Sequence, residues 1–371
     1  MPDKINIPFF SFNYTAQLIG EDIREAFEDF YKSEWYILGN KLTEFEKSYA
    51  AYSGTKYCTG VANGLDALHI ALKALNIGPG DEVIVPSNTF IATWLAVSYS
   101  GATIVPAEPD KSSYNIDPAK IKSAITSKTK AIIPVHLYGQ PCNMDSIMQL
   151  AAKHNLFVVE DNAQAHGATF NGKTTGSFGH INATSFYPAK NFGALGDGGA
   201  ITTDNEELNR QARLLRNYGS EKKYHHEIIG FNSRLDEIQA AFLTVKLKYI
   251  NALTNERKRI AHNYNELLNG IGDLILPQVH PLADHVYHLY VIRTGQRDNL
   301  QKHLEANGIG TLVHYPTPPH LQPAYQKLGY KKGDFSIAEE LADTSLSLPL
   351  FPGMDDGQIE NVVKTIRLFY E

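Results

Sequence analysis

Cysteine is nearly absent. The chain has two, Cys58 and Cys142, in 371 residues. So few, so far apart, exclude a disulfide framework; buried, reduced thiols are expected. Basic charge is not in excess either. A net charge of −6 gives no reason to expect nucleic acid as a partner. No apolar run reaches the length needed to cross a bilayer, so no membrane partner is expected. Met1-Pro-Asp-Lys-Ile-Asn shows neither the basic nor the apolar region of a signal peptide, and a cytoplasmic location is the expectation. The chain has 14 histidines, but no His-Glu-x-x-His or Cys-x-x-Cys spacing, and no metal site is expected. His225 and His226 are adjacent and poorly placed to share an ion. No Gly-x-Gly-x-x-Gly follows the first strand, where Asn63-Gly-Leu-Asp66 stands instead. That argues against a nicotinamide oxidoreductase. Internal repeats and low-complexity segments are also missing.

What is present is an ordinary globular composition, 43% hydrophobic and 20% charged, at a length that suits two units. Short apolar strands alternate with helices: Tyr57–Ala62, Glu82–Pro86, Thr103–Pro106, Lys130–Val135 and Phe157–Asp161. This alternation predicts an α/β fold with a mostly parallel sheet covered on both faces. Ligands sit at the carboxyl ends of such strands. Asn63-Gly64, Phe90, His136 and Asp161 fall there. Residues 1–15 look extended, Glu21–Lys32 and Leu42–Tyr52 helical, and Ser177–Ser185 a polar strand pair. From Glu237 a long amphipathic helical stretch runs to about Leu268 and reads as a hinge. Beyond it, strands at Tyr287–Arg293 and Thr311–Tyr315 mix with helices. Residues 1–250 and 251–371 are the expected units, the second a small α+β domain.

One stretch organises the chemistry: Ser185-Phe-Tyr-Pro-Ala-Lys190-Asn-Phe-Gly-Ala-Leu-Gly-Asp-Gly-Gly199. It places a single lysine among aromatic, small and glycine residues. Enclosure disfavours the ammonium form, and a lysine of lowered pKa is a nucleophilic amine suited to an aldehyde cofactor. The alternative is a loop lysine followed by a turn. Ser185 offers a hydroxyl to an anion. Asn63-Gly-Leu-Asp66, between a strand and a helix, is either an anion site or a plain capped turn. Asp161 closes an apolar strand and is either a helix cap or the partner of a heteroaromatic nitrogen.

These residues resemble the DegT/DnrJ/StrS family of sugar aminotransferases, from Trp35-Tyr-Ile-Leu-Gly39 to Leu346-Ser-Leu-Pro-Leu-Phe351. The specific stretches are Val159-Glu-Asp-Asn-Ala-Gln-Ala-His-Gly167, Ser185–Lys190, Gly196-Asp-Gly-Gly199 and Asn232-Ser-Arg-Leu-Asp-Glu-Ile-Gln-Ala240. The resemblance implies the aspartate-aminotransferase type of fold (type I), with a seven-stranded sheet, a small C-terminal domain and a dimer with shared sites. It implies pyridoxal 5′-phosphate, with Lys190 as the Schiff-base lysine and Asp161 on the pyridine nitrogen. Gln164 would meet the ring hydroxyl and Phe90 the ring face. Gly64, Leu65 and Ser185 would hold the phosphate, joined by Asn232 from the partner subunit. L-glutamate is the implied donor and a nucleotide-linked keto-6-deoxyhexose the acceptor.

Asn63-Gly-Leu-Asp-Ala-Leu68 resembles members acting at C3 of dTDP-linked sugars, in lipopolysaccharide, S-layer or natural-product glycan synthesis. Amination at C4 and a non-catalytic, cofactor-binding regulatory protein are the rival readings. Tyr187, His314 and Tyr315 lie near the expected sugar site by resemblance, or serve as core aromatics and a turn-capping histidine. Tyr218 and Tyr224 either close a loop over the nucleotide or sit on a solvated one.

Overall fold

A computed structural model describes residues 6–371. Its centre is a seven-stranded sheet. In chain order the strands are β1 (Tyr57–Val61), β2 (Glu82–Pro86), β3 (Thr103–Ala107), β4 (Thr129–Ile132), β5 (Phe157–Asp161), β6 (Ile181–Ser185) and β7 (Gly199–Thr203). They lie in the order β1-β7-β6-β5-β4-β2-β3. Only β7 is antiparallel to its neighbours; the others share one direction.

The strands are apolar on both faces because helices cover both. Val83 and Val85 join one core with Leu68, Trp94 and Val159. Ile84 and Val158, one residue out of phase, join the opposite core with Ile121, Met144 and Ile147. Successive side chains on a strand point to opposite faces, so such runs cannot alternate with polar residues. A third cluster seats Phe45, Tyr49, Phe186 and Phe192 beneath the turn after β6.

A further core gathers Tyr264, Leu268, Leu300, Leu304, Val362 and Ile366 around the antiparallel pair β8 (Tyr290–Arg293) and β9 (Ser345–Leu348). Ile7, from the start of the described chain, packs in this core and bridges to Ile309.

The structure departs from the sequence expectations in several places. Helix begins at Asn13, so 13–15 are not extended; Met1–Ile5 lie outside the described residues. Only Ile181–Ser185 of the expected pair is strand. The chain before it curls because the Glu160 carboxylate accepts from the amides of Gly176, Phe178 and Gly179 at 2.8, 2.6 and 2.8 Å. The long stretch from Glu237 is two helices, Glu237–Leu247 and Ile250–Leu268. Lys248 and Tyr249 donate to Val245 and Lys246, three residues back, and this tighter turn breaks the helix; Ile250 still packs with Ala240 and Leu243, and the second helix passes into the other core only further on, at Ile260 and Tyr264. Thr311–Tyr315 is not a strand but one bridge, Leu312 to Ser347. Pro316 and Pro318 follow, and prolines cannot extend a ladder as donors.

Both cysteines are buried and free. Among the described residues, no helix is long and apolar enough to cross a membrane. None of them forms a group of His, Cys, Asp or Glu placed to hold a metal ion.

Candidate active site

The strand ends named above meet at one edge of the sheet. Val61 and Ser185 both pair with Gly199, so the segments leaving β1 and β6 lie on either side of β7. The helix Gly64–Ala74 then starts against Ser185. A Cβ on Gly64 would stand 2.6 Å from Ser185 Cβ and 3.2 Å from its Oγ. One on Gly199 would stand 2.5 Å from the Asn63 carbonyl carbon. Glycine is required at both positions for this approach. Asn63 caps the helix, its Oδ1 accepting from Asp66 N at 2.8 Å. The amides of Gly64 and Leu65 stand ahead of that cap, in the first turn, where no intrahelical acceptor exists. With the Ser185 hydroxyl and the helix dipole they could hold a phosphate.

Lys190 lies in the turn after β6, its amide donating to the Tyr187 carbonyl at 2.8 Å. Phe186 and Phe192 anchor that turn from below, rings 5.5 Å apart and edge to face. The side chain is half-buried. Burial lowers its pKa to about 8, against an opposing pull from Asp161. Three imidazoles feel its charge. Burial, and then Lys190, lowers His166 to about 3 and His314 to about 4, and takes His288 well below the usual range. All three are neutral at pH 7.

Asp161 ends β5 and is 6% exposed. Its Oδ2 accepts from Thr93 Oγ1 at 2.9 Å and its Oδ1 from Ala163 N at 3.2 Å. Burial raises its pKa; these bonds, Lys190 and His136 oppose the rise. Gln164 is held at both ends, Oε1 by Tyr138 N at 2.6 Å and Nε2 donating to the Tyr315 hydroxyl at 3.1 Å. The Phe90 ring, 50% exposed, lies 5.2 Å from that of Tyr315. His314 pairs with Ser347 Oγ at 2.8 Å and its carbonyl accepts from the Tyr138 hydroxyl.

The fold thus gathers Lys190, Asp161, Gln164, Ser185, Gly64, Leu65, Phe90, His314 and Tyr315 at one edge, with Tyr187 exposed beside them. Asn232, Tyr218 and Tyr224 make their contacts elsewhere within the chain. Asn232 is exposed and lines a cavity of about 350 Å³ with Ile37, Ala62, Asp197 and Arg234. Tyr218 stacks under the Arg234 guanidinium. Tyr224 is 85% exposed, beside Lys223. The sequence reading missed Thr93, Tyr138, His166 and His288. Thr93 had a signal, a hydroxyl three residues after Phe90 at the start of a helix. His288 had none, because only the tertiary fold brings it to Lys190.

An enclosed amine, a buried carboxylate and a cradle that a Cβ would fill fit pyridoxal phosphate: aldehyde, ring nitrogen and phosphate each find a complement. Comparison with known proteins agrees. The sequence signature of the DegT/DnrJ/EryC1/StrS aminotransferase family matches residues 17–367. The dTDP-3-amino-3,6-dideoxy-alpha-D-galactopyranose transaminase of Aneurinibacillus thermoaerophilus is 49% identical over 98% of this chain and 99% of its own. The solved structure of S. venezuelae DesV in complex with a ketimine intermediate superposes with a TM-score of 0.97, at 45% identity, covering 99% of each chain. That of ntda from Bacillus subtilis, with bound cofactor PMP, does so at 0.89 and 35%, covering 94% of this chain and 81% of that one. With one family's signature running nearly end to end and its fold reproduced, the chain belongs to the DegT/DnrJ/EryC1/StrS aminotransferases and works with pyridoxal phosphate.

Proposed function

We propose that this enzyme moves an amino group from L-glutamate to the keto carbon of a nucleotide-linked keto-6-deoxyhexose. The favoured acceptor is a dTDP-linked 3-keto sugar, giving the 3-amino sugar for glycan synthesis. The supporting observation is Lys190: an amine whose pKa burial lowers to about 8, against the opposing charge of Asp161. The 3-amino-sugar transaminase of 49% identity supports the choice of acceptor.

When bound, pyridoxal phosphate supplies the aldehyde that takes up the amine and a ring that accepts the electron pair left by a departing α-proton. The rest falls to the chain. Lys190 Nζ carries a proton to and from the α-carbon of the donor. At pKa 8 about a tenth of such amines are uncharged at pH 7, against roughly one in several thousand at the ordinary lysine value. Asp161 holds the proton on the ring nitrogen. Gln164 orients the ring hydroxyl, and Phe90 covers one ring face and excludes water. Gly64, Leu65 and Ser185 bind the phosphate, and Asn232 of the partner subunit completes that grip in a homodimer. Tyr187, His314 and Tyr315 border the sugar, and Tyr218 and Tyr224 lie on the loop toward the nucleotide. The chain up to residue 250 is assigned to the cofactor-binding unit and 251–371 to the small unit, with the segment at Ile7 packed in the small unit's core, in a cytoplasmic enzyme.

The test is amine transfer itself. Purified enzyme, L-glutamate and either the 3-keto or the 4-keto dTDP-6-deoxyhexose are incubated, and product mass and 2-oxoglutarate are measured. Amination of the 3-keto sugar is the expected result. Amination of the 4-keto sugar alone would overturn the choice of carbon, and no transfer to either would overturn the reading.

A further inference from the structure

We infer that Thr93, backed by Thr89, is a positioning residue that keeps the Asp161 carboxylate proton-free and aimed at the ring nitrogen of the cofactor. The inference rests on the proposed pairing of Asp161 with that nitrogen.

The two hydroxyls form a short relay. Thr89 Oγ1 and Thr93 Oγ1 lie 2.9 Å apart, and Thr93 Oγ1 donates to Asp161 Oδ2 at 2.9 Å. Each hydroxyl has one proton to give. An ionised carboxylate only accepts, so the proton of Thr93 points to Asp161 and that of Thr89 points to Thr93. The relay therefore has a direction, with both protons turned toward Asp161, and it favours the charged form of the carboxylate, which accepts more strongly than the neutral acid. Thr89 is 2% and Thr93 1% exposed, so water does not compete for either.

The local fold sets this geometry. Phe90 caps the helix Ile91–Ser100, and Thr93 N donates back to the Phe90 carbonyl at 3.2 Å. One helical turn thus carries both the ring-stacking side chain and the hydroxyl that holds the carboxylate. Asp161 Oδ1 is fixed from the other side by Ala163 N. The carboxylate also feels the charge of Lys190.

The need for the relay follows from burial. A carboxylate removed from water favours its protonated form unless donors offset the loss. The groups acting on Asp161 are the Thr93 hydroxyl, the Ala163 amide, Lys190 and His136, and its own charge is felt by Tyr315 and Cys142. Lys190 is committed to chemistry. His136 is bound through Nε2 to Glu160 at 2.8 Å. Thr93 is the side-chain donor dedicated to Asp161.

Thr93→Val keeps the shape and removes the hydroxyl. Two readouts go beyond activity. In the apoprotein, the carboxyl 13C resonance of Asp161 is titrated; its midpoint should rise by about one to two pH units, the worth of a hydrogen bond to a charged group. In the holoenzyme, made with 15N-labelled pyridoxal phosphate, the ring-nitrogen resonance should move toward its unprotonated position. kcat should fall about tenfold with KM for L-glutamate unchanged, the size of a one-unit shift. Thr93→Ser should restore all three, and Thr89→Val should move them the same way by less. A Thr93→Val enzyme that folds and keeps both resonances and kcat at wild-type values would overturn the inference. Asp161→Asn is the companion variant. If it moves the 15N resonance while Thr93→Val does not, the relay alone is wrong. If Asp161→Asn leaves that resonance in place, the pairing of Asp161 with the ring fails and the inference falls with it.

Discussion

Lys190 owes its chemistry to its neighbours. Aromatic rings pin its turn, three neutral imidazoles feel its charge, and burial brings its pKa to about 8. Lys190→Ala should lower transamination by several orders of magnitude while the protein still folds; turnover within tenfold of wild type would remove Lys190 from its role. The lowered pKa also has a stability signature. Unfolded, the amine titrates near 10.5; folded, near 8. Between these values the unfolded chain holds the additional proton, so the stability of the apoprotein rises with pH across that window. Below pH 8 both states are protonated and the full penalty of enclosing the charge remains. Lys246, also lowered to about 8 by burial, contributes with the same sign. Lys190→Met should therefore melt a few degrees above wild type at pH 7 and show a smaller gain on going to pH 10. Equal melting temperatures at both pH values would contradict an enclosed amine. The sequence offered this lysine two readings, an enclosed amine or a loop lysine before a turn, and the lowered pKa favours the first. Thr93 and His288 were not legible there, because hydroxyls and histidines occur everywhere and only contact reveals their targets.

The proposed phosphate cradle at the start of the helix Gly64–Ala74 depends on a close approach of two backbones. Gly64→Ala would put a methyl group 2.6 Å from Ser185 Cβ, well inside van der Waals contact. The helix start must then shift away from the Ser185 hydroxyl. Cofactor affinity should drop at least tenfold in a protein that still folds, measured by equilibrium dialysis of pyridoxal phosphate against the apoenzyme. Unchanged affinity would place the phosphate elsewhere. Most strands and helices could be read from apolar runs and caps. The errors fell where distant side chains decide, as where Glu160 curls the chain at Gly176–Gly179, and where one helical stretch, broken at Lys248–Tyr249, passes from one core to another. Periodicity sees an apolar face but not which core it serves.

One chain leaves the candidate site without Asn232, which is exposed and paired with Asn217. It also leaves aromatics in water: Tyr31 is 65% and Trp35 61% exposed, with Phe27 and Tyr36 beside them. Exposed aromatic clusters mark interaction surfaces, and the proposed homodimer would use both features. Asn232→Ala and Lys190→Ala subunits, each impaired alone, should regain activity when refolded together, since one site of each mixed dimer would carry both wild-type residues. No gain on mixing would argue that each chain builds its own site. The proposed partnership rests on resemblance, as nothing in a single sequence marks Asn232 for another subunit.

The most direct measurement is the absorbance spectrum of the purified protein, with pyridoxal phosphate present, before and after adding L-glutamate. The account predicts a yellow band from cofactor held on Lys190, lost on adding glutamate and restored by the keto sugar. A protein that stays colourless, or a yellow band that glutamate leaves unchanged, would contradict it.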